Sequence, residues 1–198
     1  QLDAEIAVWE LTDYGWLYPP SIANALTSRY DAEGYRAARA SAAAPVVVGA
    51  EALLTLTIEE GPVTTVTRAT SEGGVPSLDA AVHPFVTALE DRPYRYGEVD
   101  AVVRRIENRY QAAGYNHVRV TPAGTAPPES TSATVVVQVD AGPEQRLAEV
   151  VVSGAERTRP QAVVNALGLD EGKPVDLAQW AQARKRVYDT NVFRQVDV

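Results

Sequence analysis

Two landmarks recur along the chain at almost one spacing, and that repetition limits the fold more than any single motif does. RYDAEGYRAARA at 29–40 and RYQAAGYNHVRV at 109–120 superpose when Gly34-Tyr35 is laid on Gly114-Tyr115, an offset of 80. The same offset lays Ile22 on Val102, Leu26 on Ile106, and Arg29-Tyr30 on Arg109-Tyr110. Independently, LTLTIEEGP at 54–62 and VVVQVDAGP at 135–143 each run an alternating strand into Gly-Pro, at an offset of 81. A third version, VYDTNVFRQVDV at 187–198, aligns at an offset of 78, with Tyr188 on Tyr110, Val196 on Val118 and Val198 on Val120. Each repeat is one supersecondary unit stacked on its neighbours. The expected division is therefore 1–62, 63–143 and 144–198, the first incomplete or degenerate at its start and the third stopping before its last strand.

The middle copy spells out the unit. Val99, Val102, Val103, Ile106, Tyr110 and Ala113 recur at helical spacing and leave Arg104, Glu107 and Asn108 outward. Gly114 follows, where a left-handed residue closes a helix. Tyr115, His117 or Val118, and Val120 then open a strand; the Pro-rich TPAGTAPPES at 121–130 reads as a loop. Alternation resumes over Ala133–Val139, with Val135, Val137 and Val139 on one face. Upstream, Leu78, Val82, Phe85, Val86 and Leu89 make a shorter helix, part of it a lead-in turn because Pro84 is costly in a helix interior. Short strands precede the helices at Val63–Ala69 and Leu147–Val152. In the third copy Thr158 and Gln161 form a capping-box pattern around Pro160, and Gly168 closes the helix carrying Val163, Val164 and Leu167. Arg184 stands where Ile106 stands in the middle copy, so the third helix packs differently or is shifted there. The order strand–helix–helix–strand–strand gives an α+β fold, a three-stranded sheet with two helices on one face.

Composition removes several classes of function. A net charge of −8, with no long basic run, argues against nucleic acid or anionic lipid as the main partner. With no Cys, thiol nucleophiles, disulfides and Cys-based zinc sites are excluded. His83 and His117 are the two imidazoles, too few for a His-rich metal site. No stretch approaches the ~18 apolar residues of a spanning helix. There is no start Met and no signal-peptide core, and both ends fall inside patterned sequence, so the chain is expected to be a fragment of a longer mature protein.

The third copy carries the most specific resemblance. VVVSGAERTRPQAVVNALGLDEGKPVDLAQWAQARKRVYDTNVFRQVDV at 150–198 resembles a POTRA (polypeptide-transport-associated) domain. The matching parts are strand–Ser-Gly, Arg-Thr, the Leu-Gly-Leu…Glu-Gly-Lys-Pro turn, and an Arg-Lys-Arg-Val-Tyr helix end leading to Asn-Val-Phe and Val-Asp-Val. The Glu-Gly-Pro and Ala-Gly-Pro junctions resemble linkers between such domains. AEIAVWELTDYGWLYPP in the first copy, with Leu2 before it, fits only at Leu2, Ile6 and Trp9. The resemblance implies serial β-α-α-β-β POTRA domains, each with a mixed sheet, from an outer-membrane β-barrel assembly factor of the BamA or TamA type. It implies a non-enzymatic periplasmic region of an outer-membrane protein. Such a region would bind unfolded outer-membrane proteins by β-strand addition, dock accessory assembly subunits and feed its own C-terminal membrane barrel. A POTRA region of a two-partner secretion transporter or another translocation pore, acting as a docking scaffold, is the alternative. A cell-division scaffold normally has a single such domain, which the repeat counts against.

Side chains offer little chemistry. Glu90-Asp91 and Glu59-Glu60 are adjacent acids that point apart, as in solvated turns. His83 and His117 lack a nucleophile or acid beside them in any recognisable arrangement. Gly73-Gly74 lacks the spacing of a phosphate loop, and Arg184-Lys185-Arg186 suits a helix C-terminus. Trp9, Trp16 and Trp180 fit core or junction packing better than exposed recognition. No catalytic residue, cofactor or metal is expected.

The functional candidate is backbone. An edge strand offers unpaired N–H and C=O groups to an extended peptide, with little demand on its sequence. By resemblance, the strand after the second helix is the exposed edge. The candidate peptide-binding residues are therefore Tyr115, Asn116, His117, Val118, Arg119 and Val120, with Tyr35, Arg36, Ala37, Ala38 and Arg39 in the first copy. Such a stretch spans on the order of 20 Å, enough for a short piece of an unfolded barrel strand.

Overall fold

The computed structural model describes residues 18–154 and 158–189. The first copy contributes helix α1 (Pro19–Ala32), which starts on a proline pair suited to a first turn. A long hairpin follows. β1 (Arg39–Ala42) pairs antiparallel with β4 (Leu56–Glu59), from Arg39↔Glu59 to Ala42↔Leu56. Inside that pair, β2 (Val46–Val48) meets β3 (Glu51–Leu53), from Val46↔Leu53 to Val48↔Glu51.

The middle copy holds β5 (Thr65–Gly73), α2 (Pro76–Thr87), α3 (Tyr96–Gln111), β6 (Arg119–Thr125) and β7 (Ser132–Asp140). Its three strands lie in the order β5-β7-β6, so the last strand in sequence is central. β7 buries Ala133, Val135, Val137 and Val139, the alternation its sequence predicts. α2 buries Leu78, Val82 and Val86, and α3 buries Val99, Val102, Ile106 and Tyr110. The architecture is α+β, two helices against a three-stranded mixed sheet.

The chain forms two compact units. One comprises the N-terminal stretch through Ala69 with Leu89–Val99 and Gly124–Val135. In it, β5 begins beside the start of β7: Thr65 N–H donates to Thr131 O at 2.9 Å and Thr64 Oγ1 to Ser130 O at 2.8 Å. The other unit comprises Thr70–Ala88, Asp100–Ala123 and the chain from Val136 onward. It contains α4 (Pro160–Leu167) and α5 (Leu177–Asp189), whose Val163, Leu167, Ala183 and Val187 form a cluster. Val150, Val152, Ala166 and Leu169 pack on that cluster.

Several details depart from the sequence reading. α2 runs straight through Pro84, with no lead-in turn. Pro84 is exposed and removes one backbone bond, while buried Leu78, Val82 and Val86 hold the helix on both sides of it. Leu147–Val152 is not a strand; it shows one bridge nearby, Arg146↔Pro174. The equivalent β5 pairs with β7, and no described residue of the third copy stands in β7's place. α4 has Arg159 as N-cap, without a side-chain cap bond, so the Thr158–Gln161 box does not form. Gly168 does close α4, at φ 59°. In α5, Val187 is 1% exposed and Tyr188 56%, so Val187 rather than Tyr188 takes Tyr110's inward role. The helix is shifted by one position, which also leaves Arg184 exposed.

Candidate functional site

The recurring Arg-Tyr…Gly-Tyr spacing is a helix-ending device. Tyr115 N–H donates to Tyr110 O at 3.0 Å, and Gly114 N–H to Gln111 O at 2.9 Å. In the first copy Tyr35 donates to Tyr30 O at 2.9 Å and Gly34 to Asp31 O at 3.0 Å. This paired pattern needs a left-handed glycine, and an apolar contact spanning it usually accompanies the two bonds. Gly34 and Gly114 have φ of 100° and 90°. The contact is aromatic: Tyr30–Tyr35 rings lie 5.6 Å apart and Tyr110–Tyr115 rings 5.7 Å apart, both edge-on.

This closure displaces most of the candidate peptide-binding residues from any strand. Tyr115, Asn116, His117 and Val118 form a turn, with Val118 N–H donating to Tyr115 O at 3.2 Å. Tyr35, Arg36, Ala37 and Ala38 do the same, through Ala38 N–H to Tyr35 O at 3.0 Å. In both copies the chain turns once more after the left-handed glycine before it extends. Only Arg119 and Val120 open β6, and only Arg39 opens β1. In compensation β6 continues to Thr125, into the stretch read as a loop.

The displaced residues form a socket for the start of the next repeat. Thr64 N–H donates to Gly34 O, and Gln145 N–H to Gly114 O, each at 2.8 Å. A Cβ on Gly34 would stand 3.2 Å from both Pro93 Cβ and Tyr94 O. A Cβ on Gly114 would stand 2.7 Å from Gln145 O and 2.9 Å from Pro174 Cβ. Glycine is thus required for its backbone angle and for the close approach. The bridges Thr65↔Pro93 and Arg146↔Pro174 hold the receiving segment at both sockets.

Side chains complete each socket. Arg36 lies over the Tyr94 and Tyr96 rings, at 5.5 and 5.2 Å, and its Nε is 3.6 Å from Asp31 Oδ1. Arg95 Nη2 is 3.0 Å from Glu33 Oε2, and Arg39 Nη2 is 3.1 Å from Glu129 Oε1. At the second socket Asn116 Nδ2 donates to Gln145 Oε1 and to Val175 O, both at 2.9 Å. His117 Nε2 lies 3.2 Å from Gln145 Nε2. Sequence reasoning missed Thr64, Pro93, Gln145 and Pro174. Their signal was available, since Thr64 falls on Gln145, and Pro93 on Pro174, at the same offset that superposes the two Gly-Pro junctions.

The two strand edges differ. Thr121–Thr125 of β6 are exposed, and Pro122 has no N–H, which suits an edge and not a central strand. On β1, Ala40 N–H is already donated to Thr27 Oγ1 on α1 at 3.1 Å. That hydroxyl closes part of the first edge.

The remaining polar candidates have structural partners or lie exposed. Glu90 Oε1 accepts Ala69 N–H at 2.9 Å, and Glu60 Oε1 accepts the Tyr30 hydroxyl at 2.8 Å. Arg186 donates to Leu167 O at the end of α4. Trp180 is half-buried beside Gln145–Ala148 and Val175, along an open groove of about 420 Å³. Trp9 and Trp16 lie outside the described residues, as do Val192-Phe193 of the third copy. Among the described residues no three His, Asp or Glu side chains are grouped to hold a metal ion.

No protein-family model and no curated protein matches the chain. Solved structures do. BamA POTRA3-5 of Haemophilus influenzae matches with a TM-score of 0.54 and 17% identity, over 85% of this chain and 68% of that one. BamA of Haemophilus ducreyi lacking POTRA domains 1–3 gives 0.54 and 17% over 68% of this chain, which spans 25% of that one. The likeness is one of fold: this chain is built as POTRA domains are.

Proposed function

We propose that the chain is a periplasmic, non-enzymatic array of POTRA domains, divided at 1–62, 63–143 and 144–198, in an outer-membrane protein assembly factor. It binds unfolded outer-membrane proteins by strand addition, docks accessory subunits and serves a membrane barrel of its own protein. The observation that carries this reading is the sheet order β5-β7-β6. Among the described residues no strand pairs with the outer side of β6, and its stretch Arg119–Thr125 extends about 23 Å at ~3.3 Å per residue. Main-chain pairing along that length tolerates many client sequences. The POTRA fold and the acidic surface, unsuited to nucleic acid, support the same reading.

On this reading the strand-addition site moves from Tyr115–Val120 to Arg119–Thr125, with Arg39–Ala42 a second and partly closed edge. An amide chemical-shift titration with a peptide copied from an outer-membrane barrel strand tests it. Shifts concentrated in 119–125, and abolished when the peptide carries proline at alternate positions, are expected. Shifts confined to the turn at 115–118, or none at millimolar peptide, would refute strand addition at β6.

A further inference from the structure

The two sockets share a backbone and differ in charge. At the first, a chain of alternating charges runs Arg29–Glu33–Arg95–Glu98–Arg92, with contacts of 3.1, 3.0, 3.4 and 3.3 Å. Its central link, Glu33–Arg95, joins the end of α1 to the segment that opens α3. Arg36, stacked on Tyr94 and Tyr96, is a second cation across the same joint. The repeat offsets place Ala113, Asn116 and Asp176 at the second socket where Glu33, Arg36 and Arg95 stand at the first. Val175 and Leu177 likewise replace Tyr94 and Tyr96. Asp176 is turned to its own helix, accepting Ala178 N–H at 2.8 Å. The ion pair Arg146–Glu144, at 2.7 Å, lies wholly on the receiving side. Among the described residues no ion pair crosses the second joint: Asn116 donates to Gln145 and to the Val175 carbonyl, and His117 Nε2 lies 3.2 Å from Gln145 Nε2.

We propose that the first socket is an ionic clasp whose grip depends on salt, and that the second is a joint without ion pairs and indifferent to it. The five side chains from Arg29 to Arg92 are 27–57% exposed, so mobile ions reach them, while Arg36 is 15% exposed. The screening length falls from about 8 Å at physiological ionic strength to about 3 Å at 1 M, near the contact distance itself. Each exposed pair contributes little, so the clasp loosens in degree and does not break. The neutral bonds have no charge to screen. The chain thereby carries one adjustable and one fixed attachment between successive repeats.

Two equivalent amides read the two joints in the same molecule. Thr64 and Gln145 each donate to a socket glycine carbonyl at 2.8 Å. Residue-resolved amide exchange on the full chain is followed from about 0.05 M to about 1 M NaCl. Thr64 exchange is expected to quicken about twofold to fivefold relative to Gln145. Glu33→Gln should quicken Thr64 at low salt and flatten its salt dependence, while Arg104→Gln on the exposed face of α3 changes neither amide. The proposal is overturned if Thr64 and Gln145 respond to salt in parallel, or if Glu33→Gln leaves the salt response of Thr64 intact.

Discussion

Gly114→Ala adds a methyl group where the structure leaves no room for one. The residue sits at φ 90°, outside the range an L side chain readily adopts, and forcing it there costs about 1–2 kcal/mol. The new Cβ would stand 2.7 Å from Gln145 O and 2.9 Å from Pro174 Cβ. A carbonyl and a proline ring cannot swing aside like the end of a long side chain, so overpacking adds about 1–3 kcal/mol. The expected loss is about 2–5 kcal/mol. Gly49 is the control: its φ is 66°, and nothing lies within 4 Å of its Cβ position. Gly49→Ala should therefore cost about 1–2 kcal/mol, backbone strain alone. Gly34→Ala should fall between them, because its nearest contacts are at 3.2 Å. Urea unfolding followed by far-ultraviolet circular dichroism gives the ranking, and exchange of the Gln145 amide localises it. Equal losses for Gly114→Ala and Gly49→Ala, or an unchanged Gln145 amide in Gly114→Ala, would refute the socket argument.

Three further outcomes follow from single contacts. Ile106 is 0% exposed, so Ile106→Ala should cost about 2–5 kcal/mol in urea unfolding, against under about 0.5 kcal/mol for exposed Arg104→Ala. Tyr110→Phe removes the hydroxyl that accepts Val75 N–H at 3.1 Å and should cost about 1–2 kcal/mol by the same assay, with faster exchange at Val75. Thr27→Val releases Ala40 N–H from its hydroxyl, so barrel-strand peptide should then shift amides in Arg39–Ala42 that it leaves unmoved in the parent chain.

What was legible in the sequence is what neighbouring residues decide among themselves. The apolar spacing of α3 and the alternation of β7 each place an inward face within one element. The structure buries Val99, Val102, Ile106 and Tyr110 of the first, leaves Val103 and Ala113 half-buried, and buries Val135, Val137 and Val139 of the second. The Tyr110–Gly114–Tyr115 closure is equally local, completed by backbone bonds to Tyr110 and Gln111 in the last turn of α3. Errors began where a single step of register mattered. Val187 and Tyr188 are both apolar enough to serve as the inward residue of α5, and packing of Val163, Leu167 and Ala183 selects Val187. The strand predicted at Leu147–Val152 has suitable residues but no described strand beside it, and β structure needs a partner that a local pattern cannot supply.

The sequence by itself determined the repeat period, the helix–turn punctuation and the α+β class, because periodicity and left-handed glycine are short-range properties. Only the tertiary structure decided which backbone groups beside the candidate edges are already claimed. Gly34 O is taken by Thr64, Gly114 O by Gln145, and Ala40 N–H by Thr27. Each of those partners belongs to a different segment of the fold, beyond the reach of any local pattern. A backbone group is available to a client only if no such distant partner has claimed it, and that is settled when the chain packs.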